Sequence, residues 1–420
     1  MSKMTKLFFA GTFFLWSVPL FAQQPLNIDS VLNMTARNYP LAQQKGYLLE
    51  MSENNTSGIN GAWLPQFSVN SRATYQSEVP SFSFPGFPSI EFPKDQYNFG
   101  LQLNQLIYDG GMTAQQKRTE HANTETEIQK NEVELYKVKD RVIQLYGNIL
   151  LAKENINLLN SYLDDINARK KKVGSMVKNG TMLQSNLDVL EAEILKTQQR
   201  MIEAQAGLNT AYGILSLLTG RSIDDNTTFT DLPQTGNGNS GGGRPELKLF
   251  ELQQDLIGER LKLASRKTLP RLSVFGDGAY GRPGYNFLNQ DFRFYGIAGI
   301  SLTWNLSNFY NLSYEKKNLQ ISRKMIDEQK ELFTLGQNIA LTQQNSEADK
   351  LKKEIEVDGS IVNKRVAISK MAADQLDNGT ITSSDYLTEL NAEKQARLNQ
   401  RMHEIQLGIA LEDLKVTNGN

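Results

Sequence analysis

The strongest constraint on the fold is that the chain repeats itself. "LPQFSVNSRATY" from Leu64 and "LPRLSVFGDGAY" from Leu269 align at an offset of 205, with Leu, Pro, Ser, Val and Tyr recurring in step. Further along, "GLQLNQ" from Gly100 matches "GISLTW" from Gly299, and "NGTMLQSN" from Asn179 matches "NGTITSSD" from Asn378, both at an offset of 199. The six-residue difference falls between the two strand patterns, which predicts a longer loop in the first hairpin, where insertions are best tolerated. A unit of about 200 residues is too long for a solenoid repeat and fits half of a pseudo-symmetric fold. The expected organisation is a first repeat over 23–223, a connector over 224–246 and a second repeat over 247–420. The connector, "DDNTTFTDLPQTGNGNSGGGRPE", is rich in Gly, Thr and Asn and lacks apolar periodicity. Its Gly241-Gly242-Gly243 run is not followed by Lys and Ser or Thr, so a flexible linker is expected rather than a phosphate loop.

Within each repeat the strand signal is alternation. Phe67, Val69, Ser71, Ala73 and Tyr75 share one face, and Gln66, Ser68, Asn70, Arg72, Thr74 and Gln76 share the other. Tyr97, Phe99, Leu101 and Leu103 oppose Asn98, Gly100, Gln102 and Asn104, so a hairpin is predicted over about 66–108. A second is predicted over about 271–306, less cleanly, because Phe275 interrupts the polar face held by Ser273 and Asp277. Such strands suit either a half-buried sheet on a soluble core or a membrane barrel that is apolar toward lipid and polar toward a lumen. Tyr75, Tyr97, Tyr108, Tyr280, Tyr295 and Trp304 sit at strand ends, where an interfacial girdle belongs. On the membrane reading Asn70, Arg72, Gln102, Asn104 and Asp277 face the lumen. An open sheet edge is not tolerated in lipid, and four strands cannot close. Chains must then pool their hairpins, giving about 8 strands from two chains or about 12 from three, of which the larger leaves an aqueous lumen.

The N-terminus supports export. Lys3 and Lys6 precede the apolar run "LFFAGTFFLWSVPLFA", which ends at Ala22, so residues 1–22 read as a secretory signal peptide. No Cys follows it, and no acyl anchor is expected. No later segment reaches the length of a membrane-spanning helix, so a membrane-embedded mature chain would use strands. The formal charge of -1 and sequence pI near 6.3 argue against nucleic acid as a partner. With no Cys and only His121 and His403, there is no thiol or zinc-finger chemistry and no Cys/His catalytic pair; a metal enzyme would have to be all-carboxylate, and neither cofactor nor metal is expected.

Between strands the pattern is helical and long. From Met112 to about Val177 there is no Pro. Leu135, Val138, Val142, Leu145, Ile149, Ala152, Ile156 and Leu159 step alternately by three and four, a coiled-coil seam on a helix on the order of 100 Å long. Asn179-Gly180-Thr181 and Asn378-Gly379-Thr380 break the pattern as helical hairpin tips. There Asn or Gly takes the left-handed conformation, and Thr, with Ser185 or Ser384 nearby, caps the return helix. Pro65 and Pro270 mark where helix gives way to strand.

These residues together resemble the TolC-type outer-membrane efflux protein family. The features that carry the likeness are "ARNYPLAQQKG" and "RPELKLFELQ" opening the repeats, the paired Leu-Pro-x-x-Ser strand starts, "QLIYDGGM" leaving the first hairpin, and the duplicated Asn-Gly-Thr tips. The implied fold class is membrane α+β: tandem-duplicated long α-helical coiled-coil hairpins plus four β-strands per chain. It is expected as a homotrimer with a shared 12-stranded β-barrel and a periplasmic α-helical tunnel. The resemblance implies a place in the outer membrane of a Gram-negative bacterium, in contact with its lipid. It also implies passive export of substrates, in efflux or type I secretion, delivered by an inner-membrane pump and a periplasmic adaptor protein.

It further implies that the tips dock the adaptor, through Gly180, Thr181, Gly379 and Thr380, and that acidic side chains just beyond the second tip constrict the tunnel. Asp385 holds such a position, where three like charges would resist joint ionisation. The alternative is a solvated Asp capping a helix start. Asn186 is its first-repeat counterpart, and Asp188 is a further constriction candidate. Leu376 and Ile381 stand where the family's gating tyrosine and arginine would be, so that latch is expected to be absent. The run "RKKK" at 169–172 is read as a solvated face or a partner contact. The Phe-rich stretch "SFSFPGFPSIEFP" at 81–93 is expected outside the cell, packed on the chain's own assembly, with a fold over the barrel mouth or contact with outer-leaflet lipid or a surface partner as the alternatives. Two other functions compete: a periplasmic coiled-coil adaptor or scaffold, and an exported hydrolase built on paired carboxylates. Neither needs two lipid-compatible hairpins, and no pocket-forming α/β pattern supports the second. An enzyme is not expected.

Overall fold

The computed structural model describes residues 25–83, 85–86, 90–235 and 243–419. The expected signal peptide, Gly241, Gly242, Phe84 and Phe87 lie outside these residues. The first repeat runs α1 (Ile28–Asn38), α2 (Leu41–Asn60), β1 (Gln66–Tyr75), the two-residue strands β2 (Ser81–Phe82) and β3 (Ile90–Glu91), β4 (Asp95–Tyr108), α3 (Met112–Lys178) and α4 (Gln184–Thr219). The second runs α5 (Pro245–Arg266), β5 (Arg271–Arg282), β6 (Arg293–Thr303), α6 (Asn308–Asp377) and α7 (Ser383–Asn418). Both return helices, α4 and α7, are 36 residues long.

The changes of structure have local causes. Leu64, held extended by the following Pro65, has φ -81° and ψ 149°, and β1 begins two residues later. At the opposite end of the hairpin, β4 turns sharply into α3 through Gly110 and Gly111, with φ of +71° and +78°. A Cβ on Gly110 would lie 2.5 Å from that of Leu269, so only glycine fits. The buried Asp109 carboxylate accepts from the backbone N–H of Gly111 (2.8 Å), Met112 (3.2 Å) and Thr113 (2.6 Å), satisfying donors that the start of α3 leaves free.

The four long strands form one antiparallel sheet in the order β1-β4-β5-β6, with β4 and β5 joining the repeats at its centre. Below it α3 and α6 descend for 67 and 70 residues, each on the order of 100 Å.

Three hydrophobic clusters hold the helices together. The largest gathers Val31 of α1, Val142, Ile143, Tyr146 and Ile149 of α3, and Leu215 of α4. A second joins the tips through Tyr162, Ile166, Val173, Leu190, Leu376 and Tyr386. A third, of Ala348, Leu351, Leu407 and Leu411, ties α6 to α7. Of the predicted seam, Val142, Ile149 and Leu159 are buried and the others are partly exposed. Ile143, Tyr146, Leu150 and Ile166 are buried outside it. The apolar stripe is wider than a two-position seam because α3 packs against α4, α5 and α7 on different sides.

The expected flexible connector is, in its first part, ordered core. Phe229 pairs with Leu26 in a parallel bridge, stacks on Tyr212 with ring centroids 6.1 Å apart, and meets Tyr146 edge-on at 5.5 Å. The Tyr146 hydroxyl lies 2.7 Å from the Leu26 carbonyl oxygen and 2.6 Å from that of Thr230. Composition alone concealed this, because one Phe and one Leu in a polar run anchor it.

Candidate functional site

The sheet presents two chemically different faces. Register places Phe67 opposite Leu103, Val69 opposite Leu101 and Ser71 opposite Phe99 on one face; Ser68 opposite Gln102, Asn70 opposite Gly100 and Arg72 opposite Asn98 share the other. The pattern continues into the second hairpin, where Gln102 pairs with Asp277, and Asn104 with Phe275. All five sequence-predicted lumen residues, Asn70, Arg72, Gln102, Asn104 and Asp277, therefore share the polar face. Phe275 is accommodated on it because its cross-strand partner is Gly299: a Cβ there would lie 3.0 Å from the ring. The apolar face is uncovered within one chain. Phe67, Val69, Phe99, Leu101, Phe294, Ile300 and Leu302 are all exposed. No helix among the described residues is long and apolar enough to cross a membrane.

At the outer end, the ring of Phe92 lies 6.2 Å from that of Phe82 and 6.0 Å from that of Phe287 in the second hairpin's loop. Within one chain, Phe92 of the Phe-rich stretch thus packs on the neighbouring loop.

The opposite end of the molecule holds the two tips. Gly180 (φ +74°) and Gly379 (φ +73°) take the left-handed conformation. At each tip the helix closes with the same pair of backbone bonds, Gly180 N–H to Val177 O (3.0 Å) and Thr181 N–H to Met176 O (2.9 Å), and Gly379 to Leu376 (3.0 Å) and Thr380 to Gln375 (3.0 Å). The Thr181 and Thr380 hydroxyls donate back to the same Met176 and Gln375 carbonyls, at 3.0 and 2.9 Å. They complete the ending helix instead of capping the next one, as the sequence had suggested. The cap of α7 is Thr382, in a reciprocal box with Asp385: the Asp385 N–H donates to the Thr382 hydroxyl (3.2 Å), and the Asp385 carboxylate accepts from the Thr382 N–H (3.0 Å). The Thr382 hydroxyl, 2.7 Å from the carboxylate, and then the Thr382 N–H hold the exposed Asp385 carboxyl below its ordinary range. At the first tip the equivalent residue is Leu183, which makes no cap and is 73% exposed.

The two tips are bonded to each other. Asn186 accepts from the Ser383 N–H (2.9 Å), while Asp188 accepts locally from Gln184 (2.8 Å). Sequence reasoning missed the main junction, in which Asp377, at the end of α6, accepts from Arg169 and, at 2.6 Å, from Lys172 of α3. Burial opposes its charge, but these two cations hold the Asp377 carboxyl below its ordinary range. Arg169 also lies 5.9 Å from the ring of Tyr386, whose phenol is pushed up to about 12 chiefly by burial. Lys170 pairs with Glu191 of α4 at 3.0 Å. Within the "RKKK" run, Arg169 and Lys172 thus fasten the two hairpins together, and Lys170 fastens α3 to α4 within the first. Nothing local in the sequence ties it to Asp377, some two hundred residues away. Leu376, one of the two residues standing in for the family's latch, is fully buried. No group of three or more potential metal ligands occurs among the described residues.

No family model matches the chain, and no curated protein matches it by sequence. Solved structures do match. The chain is 14% identical to the CmeC outer membrane channel of Campylobacter jejuni, with 93% of this chain and 85% of that one covered and a TM-score of 0.66. It is 12% identical to the outer membrane protein VceC of Vibrio cholerae, covering 93% and 94%, with a TM-score of 0.65. It is 13% identical to the MtrE outer membrane channel of Neisseria gonorrhoeae in its open state, covering 93% and 89%, with a TM-score of 0.65. At these identities the likeness is one of fold over nearly the whole chain, and it is the fold that the sequence resemblance implied.

Proposed function

We propose that this chain, which has the fold of outer-membrane channels, is the exit duct of a tripartite efflux or type I secretion system in the outer membrane of a Gram-negative bacterium. It acts as a non-enzymatic homotrimer. The observation that carries this reading is the sheet: four strands, apolar and exposed on one face, polar on the other, with unpaired edges at β1 and β6. In lipid such edges must pair, and they pair head to tail with further copies.

The repeat supports the same closure in the helices. Where the first repeat meets the second inside the chain, α3 packs on α5: Thr126 bonds to the Leu252 carbonyl (3.4 Å) and Gln129 to the Pro245 carbonyl (2.9 Å). Gln115, Thr126 and Val133 are buried there. Their counterparts on α6, at the offset of 199, are Tyr314, Met325 and Leu332, which are apolar yet 67%, 58% and 69% exposed. The α2 counterparts of Leu252 and Leu256, Tyr47 and Met51, are likewise exposed. In the trimer, α6 of one copy covers α2 of the next.

The tips then face the periplasm. Gly180, Thr181, Gly379 and Thr380 are exposed and form the docking surface for an adaptor, which receives cargo from an inner-membrane pump. Leu183 extends that surface, since an exposed leucine where the other tip has a cap leaves the helix start unsatisfied in exchange for an apolar contact. Asp385, with Asn186 and Asp188 beside it, sets the constriction when three copies converge.

The test is the detergent-corrected mass of protein extracted from outer membranes, followed by conductance in planar bilayers. A mass near three chains with discrete single-channel steps is expected, and Asp385→Ala raises the step size. A monomer that stays soluble without detergent would reject the duct.

A further inference from the structure

On the polar face of the sheet, charge is sparse and one-sided. Of the positions on that face of the four strands, only Arg72, Arg271, Arg293 and Asp277 are charged: three arginines against one aspartate. The other strand charges at the outer end, Asp95 and Arg282, lie on the opposite face and neutralise each other in an ion pair. Arg72 and Arg293 are exposed, and no hydrogen-bond or ion-pair partner meets either one among the described residues.

Register brings two of the arginines into one row. Arg72 is opposite Asn98, Asn98 opposite Gly281, and Gly281 opposite Arg293, so a single line across the four strands begins and ends in arginine. Its interior members are a neutral amide, which donates to the Tyr295 hydroxyl, and a glycine, so no other charge lies between the two guanidinium groups. Asp277, the only acidic group on the face, pairs with Gln102 and Ile297, four residues along the strand from Gly281. That is about 13 Å from the row, beyond a Debye length at physiological salt.

We propose that the arginine row is a polyanion-recognition and anion-selecting ring at the outer mouth of the barrel. The proposal rests on the trimeric duct above. Three copies supply six arginines on the inner wall. With strands about 4.8 Å apart and tilted about 40°, a barrel of about 12 strands has a backbone radius on the order of 12 Å, and a cross-strand row climbs as it goes round. The six groups therefore form two tiers of three, on the order of 9 Å apart in height. From that radius an arginine side chain reaches to within several ångström of the axis. Rings of arginine or lysine are the arrangement that selects anions in pores, and guanidinium matches phosphate and carboxylate oxygens in pairs. The favoured cargo class is accordingly anionic, with two or more phosphate or carboxylate groups.

The test uses the full-length protein in detergent and inositol hexakisphosphate as the polyanion probe. Its binding is measured by calorimetry alongside the mass of the particle, and chloride-to-potassium preference is read from reversal potentials in bilayers. The expected result is one probe per three chains, at least tenfold weaker binding in Arg72→Gln/Arg293→Gln, binding that weakens steeply with salt, and anion preference that falls toward unity in the same variant. A three-chain particle that binds no probe, binds one per chain, or is indifferent to the double substitution overturns the ring and leaves the duct standing. A one-chain particle overturns the duct, and the ring with it.

Discussion

Two aspartates of opposite character illustrate how single side chains couple this molecule to pH. Asp377 joins α6 to α3 through Arg169 and Lys172, and its folded pKa is lowered, so its contribution is complete above the ordinary carboxylate range and is lost only as pH falls through the lowered value. Between pH 5 and 8 the tip junction should therefore not change. Asp377→Ala leaves the half-buried Arg169 without its carboxylate and is expected to cost about 1–3 kcal/mol. Hydrogen exchange should accelerate at both tips and stay unchanged in the sheet; equal protection at the tips would show that the apolar cluster alone joins them. Asp413 on α7 runs the other way. Burial, then the neighbouring Asp140, pushes its carboxyl up to about 6, against the Gln144 amide, which donates to it at 3.3 Å. The folded state then prefers the protonated form, so stability declines as pH rises from about 4 to about 6 and stays lower above that. Asp413→Asn should raise Tm at pH 7.5, leave it nearly unchanged at pH 4.5, and flatten the dependence between. A parallel pH profile in the variant would place the titration elsewhere.

Among the elements, legibility in sequence followed the range of the cause. Pro65, Pro270, Gly180 and Gly379 act on their own backbone, and the strand starts and tips lie where those residues place them. Strand faces were legible because alternation has period two. What was not legible depended on contacts distant in sequence: the ordering of Phe229 by Tyr146 and Tyr212, and the pairing of Asp377 with Arg169. The cap of α7 was misplaced by two residues, since Thr380 and Thr382 both fit a capping pattern and only the geometry shows which hydroxyl meets an N–H. That distinction separates the tips. Thr382→Ala should destabilise the second tip by about 1 kcal/mol through loss of the capping box. Leu183→Ser should do the reverse at the first tip, adding a cap of similar size while removing the exposed apolar side chain. If Leu183 docks the adaptor, this stabilising change lowers capture of the channel by its adaptor in membranes. Unimpaired capture with raised tip stability would free Leu183 of that role.

In the proposed trimer, the two junctions between repeats, one inside the chain and one between copies, are formally equivalent and chemically different. Inside the chain the α3–α5 contact carries hydrogen bonds from Gln115, Thr126 and Gln129, and covalent continuity keeps its partners together. Between copies no such tether exists, and association has to overcome lost translational freedom with buried apolar area. The exposed Tyr314, Met325 and Leu332 on α6, and Tyr47 and Met51 on α2, are suited to that, each large side chain contributing about 1.5–3 kcal/mol when buried. Because Thr126 meets the Leu252 carbonyl inside the chain, the repeat predicts that Met325 meets Tyr47 of the next copy in the proposed trimer. Met325→Lys puts a charge into that contact three times per ring and should shift the detergent-corrected mass from three chains toward one. Adding Tyr47→Glu supplies the opposite charge at the partner position and should restore much of the trimer. A trimer unaffected by Met325→Lys, or a double variant no better than the single one, would mean that copies do not meet through the face the repeat selects, even if they still share a barrel.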